Sequence, residues 1–234
     1  FGATLHSRYK NRPMRKPIIA IDGYSSTGKS SISKEIAKRL DIIHLDTGAL
    51  YRGITFFALE NCVKDGVIDF ENLFSRFTEV HLEFQKKENS LVLYLNGKDI
   101  STEIRTQRIS DNVSQIAKQS EVREFLLHTQ REIARTGGVI LDGRDIGSVV
   151  LPDADYKFFL TASVDKRTER RYKELKEMGM ETSMKEVREN LLTRDKIDSE
   201  REIAPLIQPE DAILIDNSDI DKEQTIELIL SYIK

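Results

Sequence analysis

The chain has 234 residues, 39% hydrophobic and 32% charged, and a net charge of −3, which suits one α/β domain with an insert and gives no basic footprint for bulk nucleic-acid binding. No apolar run approaches the ~18 residues of a membrane span. The single cysteine, Cys62, excludes an intramolecular disulfide and a cysteine-based metal site; it ends an apolar helical stretch and reads as a buried structural thiol in a reducing, cytoplasmic setting.

In chain order, residues 1–16 carry Arg8, Lys10, Arg12, Arg15 and Lys16 and no acid. Mitochondrial presequences are basic and poor in acids, but this tract has no apolar stripe at helical spacing. It reads as a flexible tail, with Met14 a candidate native start. The apolar run at 17–22 predicts a strand, and Gly23-Tyr24-Ser25-Ser26-Thr27-Gly28-Lys29-Ser30 follows it directly. The spacing G-x-x-x-x-G-K-S is that of a phosphate-binding P-loop. Its glycines let the backbone close around a polyphosphate so that successive N–H groups point inward, through Ser31 at the start of the next helix. That helix, at 28–40 with Ile32, Ile36, Ala37 and Leu40 on one face, adds its positive N-terminal end. Lys29 would reach the β- and γ-phosphates of ATP, and the Ser30 hydroxyl would ligate Mg²⁺.

Further strands are predicted at 42–45, 138–142, 156–161 and 213–216, all short and apolar on both faces. Helices are predicted at 48–63, 106–119, 121–136, 165–178, 183–201 and 221–234. This βα alternation predicts a doubly wound α/β fold: a P-loop NTPase-type parallel sheet flanked by helices, its ligand site at the carboxyl ends of the strands. One stretch breaks the pattern. Residues 80–85 and 91–95 form a predicted antiparallel hairpin, Asn96-Gly97 a further turn, and 70–77 an acidic helix. Together they suggest a small α+β insert over 64–105. Residues 202–212, with Pro205 and Pro209, read as a loop.

A P-loop alone leaves open whether the γ-phosphate goes to water, a protein or a small acceptor. Two strand ends carry charge beside it: Asp46, Thr47 and Arg52 in 45–52, and Asp142-Gly143-Arg144-Asp145. Asp142 resembles the acid that holds Mg²⁺ or its waters; the plainer reading of either acid is a turn or N-cap residue. Arg167, Arg170 and Arg171 share one helix face, as do Arg194, Asp198 and Arg201. Several arginines suit an acceptor that is itself a phosphate, whereas pairing with Glu169, Glu174 and Glu200 would make these faces merely solvated.

With these motifs in hand, the sequence resembles bacterial cytidylate kinases from about Pro17 to the C-terminus. The resemblance is carried by IDG at the start of the P-loop, LDTGALYR at 45–52, ISTEIRTQRISDNVSQIA at 100–117, LDGRDIGSVVLPDAD at 141–155 and RDKIDSEREIAPL at 194–206. It implies a nucleoside monophosphate kinase, a monomer without nucleic-acid or membrane partners, that converts ATP and CMP or dCMP to ADP and CDP or dCDP. Its insert would bind the monophosphate and a helical lid over 163–182 would close on it. The resemblance assigns Arg52, Arg144 and Arg201 to the acceptor α-phosphate, Ser114, Arg123 and Asp145 to cytosine, and Arg194 and Asp198 to the ribose. Asp46, Thr47 and Tyr51 would line the same acceptor site. Arg167 and Arg171 would close over the transferring phosphoryl group, making Lys29, Arg144, Arg167 and Arg171 the catalytic set. The chain departs from the family pattern at Tyr24, often Pro, at Thr27, often a small residue, and at Thr47, more usually Ser. Other acceptors (UMP, AMP, shikimate) and a non-catalytic ATP sensor are the competing readings.

Overall fold

The computed structural model describes residues 15–87, 90–135 and 137–234. In chain order the main elements are β1 (Ile18–Gly23), α1 (Lys29–Arg39), β2 (Ile43–Asp46), α2 (Thr47–Asn61), β3 (Val63–Lys64), β4 (Val67–Ile68), α3 (Phe70–Ser75), β5 (Leu82–Lys87), β6 (Ser90–Leu95) and β7 (Lys98–Asp99). There follow α4 (Gln107–Ala117), α5 (Ser120–Ala134), β8 (Val139–Gly143), β9 (Tyr156–Thr161), α6 (Val164–Glu177), α7 (Met184–Glu200), β10 (Ile213–Asp216) and α8 (Lys222–Tyr232). Of the predicted tail, residues 1–14 lie outside the described residues; Arg15 pairs with Asp155 at 3.2 Å. No helix among the described residues is long and apolar enough to cross a membrane.

The predicted doubly wound sheet is present: five parallel strands in the order β10-β9-β1-β8-β2. Alternate residues of β1 feed opposite faces. Ile19 and Ile21 pack with Ile32 and Ile36 of α1, Phe158 of β9, and Ile226 and Ile229 of α8. Ala20 faces the other way, with Leu45, Leu141, Ala134 and Val150. Each large apolar side chain fully buried in these layers contributes about 1.5–3 kcal/mol. The expectation that all five strands are apolar on both faces holds for the centre and fails at the edges. Ile43 of β2 and Leu214 of β10 are about half exposed, because an edge strand has less covering it.

A separate core joins α2, α4 and α5 to the antiparallel sheet β5-β6-β7 through Leu50, Ile54, Phe57, Leu93, Ile100, Ile116 and Leu126. The predicted hairpin is β5–β6, and Asn96-Gly97 makes the turn to β7 with both residues at positive φ, 50° and 79°, as a type I′ turn requires. Cys62 is fully buried here, as expected. Sequence periodicity missed the two-residue pairing of β3 with β4 and the π-helical turn at Ile146–Val150. Helix ends moved by one or two residues because caps set them: Thr106, Ser163, Ser183 and Asp221 each accept an N–H from the first turn. One shift matters for function. Helix α7 ends at Glu200, so Arg201 stands beyond it in extended backbone (φ −65°, ψ 141°) rather than on its face.

Candidate active site

The loop between β1 and α1 leaves the centre of the sheet at its carboxyl edge. Gly23 has φ 145°, and a Cβ there would lie 2.0 Å from the Leu160 carbonyl oxygen; only glycine fits. Ser26 and Gly28 also have positive φ, 61° and 89°, the backbone pattern of an anion nest. Helix α1 starts without a side-chain cap or an acid in its first turn, so its N-terminal N–H groups stay available for an anion. The outward carbonyls are occupied: Tyr24 O accepts from Lys29 Nζ at 2.5 Å and Thr27 Oγ1 at 3.0 Å. Ser31 Oγ donates to Gly28 O at 3.1 Å. Burial first, and then Arg144, hold the Lys29 ammonium well below its usual pKa. An anion would reverse that trend.

Ser30 Oγ donates to Asp142 Oδ2 at 2.7 Å, and His44 Nε2 lies 2.5 Å from Oδ1 of the same carboxylate. Thr47 Oγ1 donates to the Asp142 carbonyl at 2.8 Å. Asp46 binds Arg52 Nη2 at 2.5 Å; burial pushes its pKa up, but Arg52 and His44 outweigh this and hold it below the usual carboxylate value. A hydroxyl and a carboxylate in contact suit Mg²⁺, which takes one or two protein oxygens and leaves the rest of its shell to phosphate and water. Among the described residues no cluster of three or more His, Cys, Asp or Glu could hold a metal ion.

Next to the loop stands a group of guanidinium groups. Arg144 Nη2 donates to Ser25 Oγ at 2.7 Å and its Nε to Asp198 at 2.9 Å. Burial and then Arg144 push the Arg194 pKa down to about 10. Arg52 Nε, Arg194 Nε and Arg201 Nη2 are buried without a hydrogen-bond partner among the described residues. Burial would raise the Asp198 pKa, but Arg144, Arg201 and Arg194 hold it low. Deeper in, Arg123 bridges Asp145 and the Ala117 carbonyl (3.0 Å) and lies 5.2 Å from the Tyr51 ring centroid. Ser114 is buried one turn before Ala117 on α4. Burial and then Asp145 push Tyr51 up to about 12. Arg201 lies 3.9 Å from both Asp145 and Asp198.

From α6, Arg167 reaches the loop: Nη1 donates to Asp195 at 2.6 Å and to Ser25 O at 3.3 Å, beneath a cation–π contact with Tyr24 at 5.1 Å. Arg171 pairs with Glu174 at 2.8 Å and reaches Ser110 Oγ at 3.5 Å. The solvated-face alternative thus describes part of Arg171 and none of Arg167.

A family profile described as cytidylate kinase matches residues 19–234. The cytidylate kinase of Bacillus cereus (strain ATCC 10987 / NRS 248) is 43% identical over 215 residues, covering 92% of this chain and 95% of that protein. The cytidylate kinase of Bacillus anthracis (strain CDC 684 / NRRL 3495) is 42% identical over the same shares. The chain belongs to the cytidylate kinase family. Among solved structures, shikimate kinase from Bacteroides thetaiotaomicron is similar with a TM-score of 0.45 and 13% identity, over 92% of this chain and 97% of that one; a likeness that distant does not bear on the acceptor of a cytidylate kinase family member.

Three residues at this candidate site escaped the sequence reading: Asp22, His44 and Asn217, whose Nδ2 donates to the Thr27 carbonyl. Asp22 is buried and accepts from Ile146 N at 2.8 Å and Gly147 N at 2.7 Å. It thereby ties β1 to the turn after Arg144 and Asp145. Burial, opposed by those two N–H groups, raises its pKa to about 7. Its signal was the IDG triplet, where only the glycine had a recognised task. His44 and Asn217 left no signal, since neither belongs to a motif.

Proposed function

We propose that this chain transfers the γ-phosphoryl group of ATP to CMP or dCMP, giving ADP and CDP or dCDP. The observation that carries this reading is the group of arginines beside the P-loop whose buried nitrogens Arg52 Nε, Arg194 Nε and Arg201 Nη2 have no hydrogen-bond partner among the described residues. Buried donors without partners are costly, and a phosphate dianion is the ligand that would satisfy several at once. Cytosine fits the inner end: Asp145 offers an acceptor for the N4 amino group, and Arg123 and Ser114 offer donors toward N3 and O2. Arg194 and Asp198 would hold the ribose, with Asp46, Thr47 and Tyr51 lining the acceptor site and Arg52, Arg144 and Arg201 on its phosphate.

In the reaction an anionic oxygen of the acceptor phosphate bonds to the γ-phosphorus as the bond to the β–γ bridging oxygen breaks, and ADP leaves with that electron pair. The acceptor oxygen needs no general base. Acceleration therefore comes from positioning and charge neutralisation. Lys29 would bind the β- and γ-phosphates, Arg144 would bridge donor and acceptor, and Arg167 and Arg171 would close from a lid over 163–182. The α+β insert over 64–105 would move with the acceptor and exclude water. Mg²⁺, held by Ser30 and by Asp142, partly through water, would neutralise phosphate charge. The working unit of this reading is a monomer.

A coupled ADP-release assay with MgATP and CMP, dCMP, UMP, AMP or shikimate tests the reading. Turnover with CMP and dCMP well above the others is expected. Equal or faster turnover with another acceptor would overturn the cytosine assignment, and acceptor-independent ATP binding without turnover would favour a sensor.

A further inference from the structure

Asn217 is buried at the end of β10 and belongs to none of the motifs above. Its N–H donates to Thr161 O at 2.9 Å, extending the pairing with β9 by one residue. Its side-chain Nδ2 donates to the Thr27 carbonyl at 2.9 Å. Its two oxygens receive Arg170 as a fork: Nη1 to Oδ1 at 2.9 Å and Nη2 to the backbone oxygen at 2.7 Å. The next residue, Ser218, accepts from Ser163 N at 2.8 Å, at the cap of α6. The segment after β10 thus touches the phosphate loop on one side and the start of α6 on the other.

We infer that Asn217 is a positioning residue for ATP, holding the Thr27–Gly28 peptide in its phosphate-binding orientation while Arg170 holds Asn217. The described chain has no cis peptides, and a trans peptide sends its C=O and N–H in opposite directions. A donor fixed on Thr27 O therefore turns the Gly28 N–H toward the interior of the loop. The same logic runs along the loop, since Tyr24 O is taken by Lys29 and Thr27, and Ser25 O by Arg167. Of these three carbonyls, Thr27 O alone takes its donor from outside the loop, α1 and α6. Without that donor the peptide is free to rotate, and apparent ATP affinity falls by the fraction of molecules left competent. The amide is suited to this task because it donates at one atom and accepts at the other.

The inference rests on ATP occupying the P-loop, so the wild type is titrated first. Calorimetric titration with MgATP, without acceptor, is then applied to Asn217→Asp and Asn217→Ala, with thermal melts alongside. Asn217→Asp keeps the acceptor for Arg170 but sets oxygen against oxygen at Thr27; Asn217→Ala removes the donor without adding charge. Both are expected to bind ATP about tenfold or more weakly, with the KM for CMP held within about twofold, a split that a general loss of stability would not produce. Wild-type affinity in either variant overturns the inference, because weakening in Asn217→Asp alone would mark added charge. Should neither variant melt cooperatively, Arg170→Ala decides by the same titration: affinity about threefold weaker or worse upholds the inference, and unchanged affinity overturns it. Absence of ATP binding by the wild type would instead sink the P-loop assignment itself.

Discussion

The donor and acceptor sides of this site are built from different materials. On the proposed reading the P-loop would meet ATP mainly with backbone N–H groups, joined by the Lys29 and Ser30 side chains, and its Tyr24, Ser25 and Thr27 carbonyls are already bonded to Lys29, Thr27, Arg167 and Asn217. On the acceptor side the working groups are long side chains. They are spaced by Asp46, Asp145 and Asp198, and three guanidinium nitrogens lack a hydrogen bond among the described residues. The backbone half is ordered before any ligand arrives. The side-chain half brings like charges close together, Arg144 adding to burial in depressing Arg194, and on the proposed reading the acceptor phosphate would complete it. Preorganisation and charge neutralisation are thus allotted to separate regions, joined by Arg144, which contacts Ser25 on one side and Asp198 on the other.

The most severe way to break this division is Lys29→Ala, expected to lower kcat about 10²–10³-fold, some 3–4 kcal/mol; steady-state kinetics at saturating CMP should show it. Arg144→Ala should cost a similar amount but raise the KM for both substrates, because it spans the two regions. Near-normal turnover in either variant would refute the roles assigned to Lys29 and Arg144. Asp145→Asn sharpens the acceptor side alone. The CMP-to-UMP ratio of kcat/KM should fall about 10–100-fold, at 1–3 kcal/mol for a base-edge contact, while ATP parameters hold.

A smaller effect concerns stability. Asp22 has its folded pKa raised from 3.8 to about 7, so between those values the folded state keeps a proton that the unfolded chain has lost. Its contribution is present below pH ~4 and fades as pH rises through about 7. Asp22→Asn should remove that slope, so the wild-type advantage in urea unfolding should shrink between pH 5 and pH 8. The smallest effect belongs to the surface. Arg39, which joins α1 to Glu223 and Glu227 of α8, should be replaceable by Ala with kinetics unchanged.

The donor half was legible in the sequence because backbone sites need glycines at fixed spacing and a strand before a helix. Gly23, Gly28 and the α1 periodicity supplied both. The sheet was equally plain, since buried parallel strands are continuous apolar runs. The acceptor half was legible only in part. Its arginines were visible as charges, but partners 54 residues apart, such as Arg144 and Asp198, are set by tertiary folding. Helical spacing also misplaced Arg201, which the chain delivers from beyond the end of α7. Asp22, His44 and Asn217 act through long-range hydrogen bonds that no periodicity encodes. At the π-helical turn Ile146–Val150 the Asp22 carboxylate accepts from the Ile146 and Gly147 N–H groups and the Asp145 carbonyl from those of Val149 and Val150; the Asp22 contacts are invisible in local propensity.

The most direct test of transfer between two phosphates is to follow the label of γ-³²P-ATP with and without acceptor. The assignment predicts that label passes to CDP or dCDP in proportion to the ADP formed, with little orthophosphate when CMP is absent. Label released as orthophosphate regardless of acceptor, or delivered in preference to another acceptor, would contradict it.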